Sequence, residues 1–172
     1  LNAKGKDLTP MDLIKNQVFK NYPKEPHLDE PNDSWKEINN NIKDNTLRFL
    51  NNFWSSRYKK VSDRKIYKEF TKVKNMDYKI FVKDLLLDSN LFKLIISPKK
   101  SDWKKDEFDI FTSLNAISIF NVKVANAIIL SVLREYKLNN ISLAYCKKAL
   151  KSVEKFHFLN NAICSFRSSG LD

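Results

Sequence analysis

The two histidines of this chain are its first candidates for metal ligands or proton carriers. His27 lies in a proline-rich segment, whereas His157 lies in a helical pattern with Glu154 three residues before it. A Glu-x-x-His pair puts both side chains on one helical face, but a dinuclear carboxylate site needs two such pairs and two further glutamates. Because this sequence contains one pair, we expect His157 to pack on or beside the core.

Four carboxylates lie close together where a helix is predicted to begin, and such a group can chelate a divalent cation. Two lysines are interleaved with them, and negative charge at a helix start interacts favourably with the helix dipole. We therefore expect them to stabilise the helix end. There is also no glycine-rich phosphate loop and no Cys-x-x-Cys pair, so we predict no catalytic, cofactor-binding or metal-binding residue in this chain. The four carboxylates are Asp102, Asp106, Glu107 and Asp109.

The strongest binding candidate is the stretch 54–83, where ten basic residues stand against three acidic ones, a net charge of +7. Concentrated charge builds a field, and contacts from Lys and Arg to phosphates are independent of base sequence and sensitive to salt. Aromatic residues are interleaved, either for stacking or as the core of an amphipathic helix whose charged face is only solvated. The residues predicted to contact nucleic acid are Arg57, Lys59, Lys60, Arg64, Lys65, Lys68 and Arg167.

The overall charge of +11 has a second explanation. Of the 31 basic residues 26 are lysine, and asparagine is also abundant, as AT-rich coding produces without selection for binding. Residues 1–34, in contrast, carry a net charge of −1, so the positive charge is concentrated in part of the chain.

Helical patterns account for most of the sequence. Only two glycines and five prolines are present, which disfavours a sheet of many strands. Thr9 and Pro10 are typical of a helix start, and apolar spacing predicts further helices. We expect an all-α, irregular bundle of six to eight helices. The predicted helices cover residues 10–21, 34–53, 62–73, 77–96, 106–119, 121–138 and 143–165.

The proline-rich segment 22–33 predicts a hinge, so the expected domains are a leading helix with its hinge at 1–33 and a helical bundle at 34–172. The chain starts without Met and ends on a polar segment, from which we expect an internal piece of a larger protein. No apolar run approaches the ~20 residues that cross a bilayer, so we expect no membrane partner. Cys146 and Cys164 would stand ~27 Å apart on one helix, too far for a disulfide, and free thiols suit the cytoplasm.

Three groups of residues form a pattern known from a protein family. They are Asn2 to Asn16, then Phe53 to Arg57 with Lys65 to Phe70, and finally Glu154 to Gly170. The first resembles the N-x-x-G-x-x-L-T-x-x-D-L-I-K-N segment that follows the ParB/sulfiredoxin-like domain of GmrSD-like proteins. The second is similar to their central helical region, and the third to the segment that leads to their HNH-type nuclease domain.

This resemblance implies the helical middle region of a prokaryotic, modification-dependent restriction or antiviral defence protein. The parent protein would be a DNA endonuclease that uses a nucleoside triphosphate and a divalent metal. Its DGQQR motif is expected upstream of Leu1 and its HNH motif downstream of Asp172, so no catalytic residue of the family maps onto this chain.

Two functions follow as hypotheses. The first is a non-catalytic connector between the upstream and downstream domains that contacts DNA through the 54–83 stretch. The alternative is a protein-interaction or oligomerisation module without any nucleic-acid contact.

Overall fold

The computed structural model describes residues 8–23 and 30–160. Within these ranges the chain forms eight α-helices and no strand, which confirms the expected all-α bundle of six to eight helices. The helices are α1 (Pro10–Asn21), α2 (Glu30–Ile42), α3 (Thr46–Arg57), α4 (Ile66–Thr71), α5 (Tyr78–Ile96), α6 (Phe108–Ile119), α7 (Asn126–Lys137) and α8 (Leu143–Phe158).

The chain divides into two compact units, Leu1–Ser89 and Asn90–Asp172, and the division falls within α5. The predicted hinge includes residues 24–29, which lie outside the described ranges, so the domain boundary expected near residue 33 stays a prediction. None of the described helices has the length and apolar character that a membrane span requires.

The first unit is built around α3. This helix contacts α1, α2 and α4, and its residues Phe49, Leu50, Phe53 and Trp54 are all buried. The ring of Phe53 meets that of Phe81 on α5 edge to face, with 5.7 Å between their centroids. Burial of large aromatic side chains removes extensive apolar surface from water, so this cluster contributes strongly to the stability of the unit.

In the second unit α8 packs against both α6 and α7. The buried side chains recur every three or four residues, with Ile110, Leu114 and Ile117 on α6 and Cys146 and Leu150 on α8. Burial raises the pKa of the Cys146 thiol to about 11. The thiol therefore stays protonated at neutral pH and acts as a small apolar group of the core.

Two predicted helix starts are confirmed by their caps. The Thr9 hydroxyl accepts a hydrogen bond from the Asp12 backbone N–H at 3.2 Å, and the Asp12 carboxylate accepts one from the Thr9 N–H at 3.0 Å. At α8 the Ser142 hydroxyl accepts from the Tyr145 N–H at 3.3 Å. Both side chains satisfy backbone donors that the first helical turn leaves without partners.

The single helix predicted over 34–53 is wrong, because the chain turns between α2 and α3. Residues Lys43–Asn45 form a 3₁₀ turn, and Lys43 takes a left-handed conformation with φ of 46°. Apolar spacing continues from Ile42 to Phe49, seven residues later, so periodicity alone does not reveal the turn. The polar residues between these two positions were the available signal.

The helix predicted to begin at Asn121 is also wrong at its start, since Asn121 instead ends α6. Its φ is 52°, its N–H donates to the Ser118 carbonyl, and the Val122 N–H donates to the Ile117 carbonyl. Asn139 ends α7 in the same way, with φ of 60°. Asparagine tolerates left-handed backbone better than most residues, so here it takes the position that glycine usually holds after a helix.

Candidate nucleic-acid interface

Five of the predicted contact residues form what we call the basic segment. It runs from the end of α3 through a 3₁₀ turn at Asp63–Lys65 into α4. Ile66 and Phe70 anchor α4 because both side chains are buried, and the cationic positions between and before them are exposed. The basic segment consists of Lys59, Lys60, Arg64, Lys65 and Lys68.

Arg64, Lys65 and Lys68 are the residues of this segment best suited to a polyanion. All three are exposed, and none forms an ion pair with any residue that the structure describes. Arg64 and Lys68 are separated by four positions, a spacing that brings side chains close together along a helical turn. Such solvated cations can bind phosphates without first breaking an ion pair within the protein.

Lys59 differs because it already has a carboxylate partner. Its ammonium lies 2.6 Å from one oxygen of Glu69, and the Lys72 ammonium lies 2.6 Å from the other. The hydrogen bond from Lys59, followed by that from Lys72, lowers the pKa of Glu69 to about 2. Glu69 is therefore charged at every physiological pH and cancels part of the positive field beside the basic segment.

Arg57 is placed apart from the other predicted contacts. Its Nε and Nη2 atoms donate to the two carboxylate oxygens of Asp88 at 2.9 and 3.1 Å, and Nη1 donates to Asp84 at 2.7 Å. The guanidinium also lies over the Phe53 ring, 5.2 Å from its centroid. These contacts use N–H donors on all three guanidinium nitrogens. Arg57 therefore joins α3 to α5 and has few donors that could bind a phosphate.

The aromatic residues of the 54–83 stretch divide between core and surface. Trp54 and Phe70 are buried, as the core interpretation predicts. Tyr58 is half exposed, and its ring packs against that of Trp54 with 4.4 Å between centroids and an angle of 32° between the ring planes. Burial raises the pKa of Tyr58. Tyr58 is therefore the aromatic side chain, among these three, with enough exposed surface to contact a base.

Arg167, the remaining predicted contact, lies outside the described residues, and so does Cys164. His157 is buried, as predicted, and burial lowers its pKa. Glu154, the other half of the Glu-x-x-His pair, accepts hydrogen bonds from Ser113 and Lys151 instead, each at 2.7 Å. The pair thus belongs to the packing of α8 against α6.

The four carboxylates around the start of α6 have different surroundings. Asp102 and Asp106 are exposed, Asp109 pairs with Lys147 at 2.8 Å, and Glu107 is buried. Across residues 8–23 and 30–160, no group of three or more His, Cys, Asp or Glu side chains is arranged to hold a metal ion.

Sequence reasoning missed the role of Glu107. Its carboxylate accepts hydrogen bonds from the Lys104 backbone N–H at 3.0 Å, the Tyr136 hydroxyl at 2.7 Å and the Lys137 ammonium at 3.1 Å. Burial alone would raise the pKa of Glu107, but these hydrogen bonds hold it below its usual value. Burial and the bond to Glu107 raise the pKa of Tyr136 to about 12.

A groove between α6 and α8 was also missed. It is lined by three lysines of α8 and by two hydroxyls and a carboxylate of α6. The repeated lysines at 147, 148 and 151 are visible in the sequence, but the hydroxyls that face them lie about 35 positions earlier. The contact between these positions is therefore a product of the fold.

Comparison with known proteins adds no relative: no family model, no curated protein and no solved structure matches this chain.

Proposed function

We propose that this chain is a non-catalytic helical connector from a GmrSD-like, modification-dependent restriction or defence protein, and that its basic segment contacts DNA. The residue pattern at Asn2 to Asn16, in the middle and at Glu154 to Gly170 supports the origin. The parent protein would act in the prokaryotic cytoplasm with a nucleoside triphosphate and a divalent metal, both bound by domains outside these 172 residues.

The observation that carries the proposed DNA contact is the exposure of Arg64, Lys65 and Lys68 above a buried anchor. Three cations without ion-pair partners among the described residues lie within five positions of the chain. Binding would be largely electrostatic, with phosphate contacts that do not depend on base sequence. The proposed contact set omits Arg57, because its guanidinium is held by Asp84 and Asp88.

The test is a triple variant that carries R64Q, K65Q and K68Q. Each phosphate contact contributes roughly 0.9 to the slope of log affinity against log salt, so loss of three should flatten the slope by about 2 to 3. We expect lower affinity for a short duplex at low salt, measured by fluorescence anisotropy between roughly 50 and 200 mM NaCl, an interval over which phosphate contacts lose much of their affinity.

The matched control is the triple variant K99Q, K105Q and K123Q, which removes the same charge from exposed positions of the second unit. It should leave the salt slope within experimental error of the parent chain. An equal loss of duplex affinity in both variants would show that net charge, rather than the basic segment, determines binding.

The proposed origin has its own test in the coding sequence on either side of this chain. An upstream DGQQR motif and a downstream His-Asn-His pattern would support it, and an open reading frame with neither would contradict it. Hydrolysis of a nucleotide or a phosphodiester by the purified chain would contradict the non-catalytic role.

The second candidate is an oligomerisation module, and exposed apolar residues of the second unit favour it. Ile119, Phe156 and Phe158 are all exposed, and the Phe158 ring lies 5.8 Å from that of Phe120, which is also exposed. Adjacent exposed aromatic rings are typical of interaction surfaces. Light scattering together with DNA retention separates the candidates: a dimer that retains no duplex at low salt supports this one.

A further inference from the structure

The groove between α6 and α8 has the features of a ligand site that the proposed DNA contact does not use. Its volume is about 350 Å³, within the usual range for small-molecule sites. No residue of the basic segment lines it. The lining residues are Asp109, Thr112, Ser113, Lys147, Lys148 and Lys151.

Positive charge predominates along this groove. Lys147 pairs with the exposed Asp109 at 2.8 Å, and Lys151 pairs with Glu154 at 2.7 Å. The Lys148 ammonium forms no ion pair with the part of the chain that the structure describes. An exposed ion pair contributes little free energy, so a ligand with several negative charges can replace Asp109 as the partner of Lys147.

Polar contacts with a neighbouring carboxylate restrain one of these cations. The buried Ser113 hydroxyl donates to Glu154 Oε2 at 2.7 Å, and Glu154 Oε1 accepts from Lys151. Because Ser113 fixes the carboxylate, the carboxylate restricts where the Lys151 ammonium lies. Thr112 Oγ1 lies 2.9 Å from the Phe108 carbonyl, and its hydroxyl can rotate to donate to a ligand oxygen instead.

We infer that this groove binds phosphate groups. Lysine ammonium groups are rotatable point charges that bind phosphate well, and a ligand that spans Lys147, Lys148 and Lys151 must carry charge at more than one position. The ligand class is therefore a polyphosphate, either a free one or successive phosphates of a nucleic-acid backbone.

The experiment titrates inorganic triphosphate and a short DNA duplex separately into the 172-residue chain by calorimetry at low salt. The double variant K148Q/K151Q removes two charged hydrogen-bond donors and should weaken binding of the responding probe by at least about tenfold. The control K99Q/K123Q changes the net charge equally at exposed positions that do not line the groove, and it should change affinity by less than about twofold.

A gain of affinity gives a second readout that a folding defect cannot imitate. D109N removes the carboxylate that competes for Lys147 and should tighten binding several-fold, whereas D102N, an exposed carboxylate outside the groove, should not. Circular dichroism of each variant checks that its helical content equals that of the parent chain.

The two probes also distinguish the sources of phosphate. Triphosphate binding that K148Q/K151Q weakens assigns the groove to a small polyphosphate. Duplex binding that K148Q/K151Q weakens, with no response to triphosphate, assigns it to a nucleic-acid backbone. The inference is overturned when K148Q/K151Q binds both probes like the parent chain, when K99Q/K123Q loses as much affinity as K148Q/K151Q, or when neither probe binds. Failure of the proposed DNA contact looks different, because R64Q/K65Q/K68Q would then bind duplex normally.

Discussion

In each unit of this protein an ionic cluster joins distant parts of the chain, and these two clusters have opposite charges at the centre. In the first unit Arg57 is central and its main partner, Asp88, is completely buried. In the second unit Glu107 is central, and its partner Lys137 keeps about a third of its side chain exposed (36%).

This difference determines what is left behind when the central residue is removed. Without Arg57, the buried carboxylate of Asp88 loses its two hydrogen bonds from the guanidinium. Without the charge of Glu107, the Lys137 ammonium can still be solvated. Loss of a bidentate guanidinium from a buried carboxylate costs more than loss of one hydrogen bond from a partly exposed ammonium, so removal of the central residue should destabilise the first unit more than the second.

The largest effect is therefore expected for R57M, which keeps much of the side-chain volume and removes the charge. We expect the free energy of unfolding to fall by about 3–5 kcal/mol, the usual cost of breaking a buried ion pair from one side. Urea denaturation followed by circular dichroism measures it. The matched control is R64M, the same substitution at an exposed arginine, which should change stability by less than about 0.5 kcal/mol.

DNA binding should reverse the order of these two variants. R64M should weaken duplex binding, and R57M should leave it unchanged at temperatures where the protein is folded. If R57M is as stable as the parent chain and binds DNA less tightly, the sequence-based assignment of Arg57 is correct and our structural interpretation is not.

A smaller effect is expected for E107Q, which retains the shape of the side chain. Hydrogen bonds to a charged group contribute about 1.5–3 kcal/mol, and we expect a loss within this range at pH 7. Because the folded-state pKa of Glu107 lies below its ordinary value, its contribution is present above the unfolded-state pKa and is lost as the pH falls through the folded-state pKa. The difference between E107Q and the parent chain should therefore shrink between pH 7 and pH 3.

The exposed neighbour Asp106 provides the control. D106N should shift the urea midpoint little at any of these pH values, because its carboxylate is solvated. A stability difference for E107Q that stays constant with pH would mean that the carboxylate charge does not stabilise the cluster.

The helices themselves could be predicted because local chemistry specifies them. Thr9 and Ser142 have hydroxyls at the right positions for caps, and the buried residues of α6 and α8 follow helical spacing. The turn at Lys43 could not be predicted from periodicity, because the apolar pattern passes through it without a change of phase. Lys43 is not a residue type that favours left-handed backbone, so its identity gave no signal for the turn.

The candidate site was less predictable, because the presence of a charged residue in a sequence does not indicate which residues it contacts in the fold. Arg57 and Arg64 look equivalent in the sequence, yet the partners of Arg57 lie 27 and 31 positions later. The abundant asparagine, for which AT-rich coding was one explanation from the sequence, includes Asn121 and Asn139, whose backbone conformations end two helices. Tertiary contacts assign these roles, and a single sequence does not contain them explicitly.

The smallest effect on stability, and the one that links a cluster to the proposed function, is expected for E69Q. Glu69 pairs with Lys59 and Lys72 at the surface, so its removal should alter stability only slightly and less at high salt. It should nevertheless strengthen duplex binding, since two released ammonium groups can add up to about 2 to the salt slope. D44N, which removes an exposed carboxylate from the same unit, should not add to the slope.

Because the pKa of Glu69 is about 2, its carboxylate stays charged from pH 7 down to pH 5, and the gain in duplex affinity of E69Q over the parent chain should be constant over that interval. If this gain declines with acid, a different group controls the field around the basic segment.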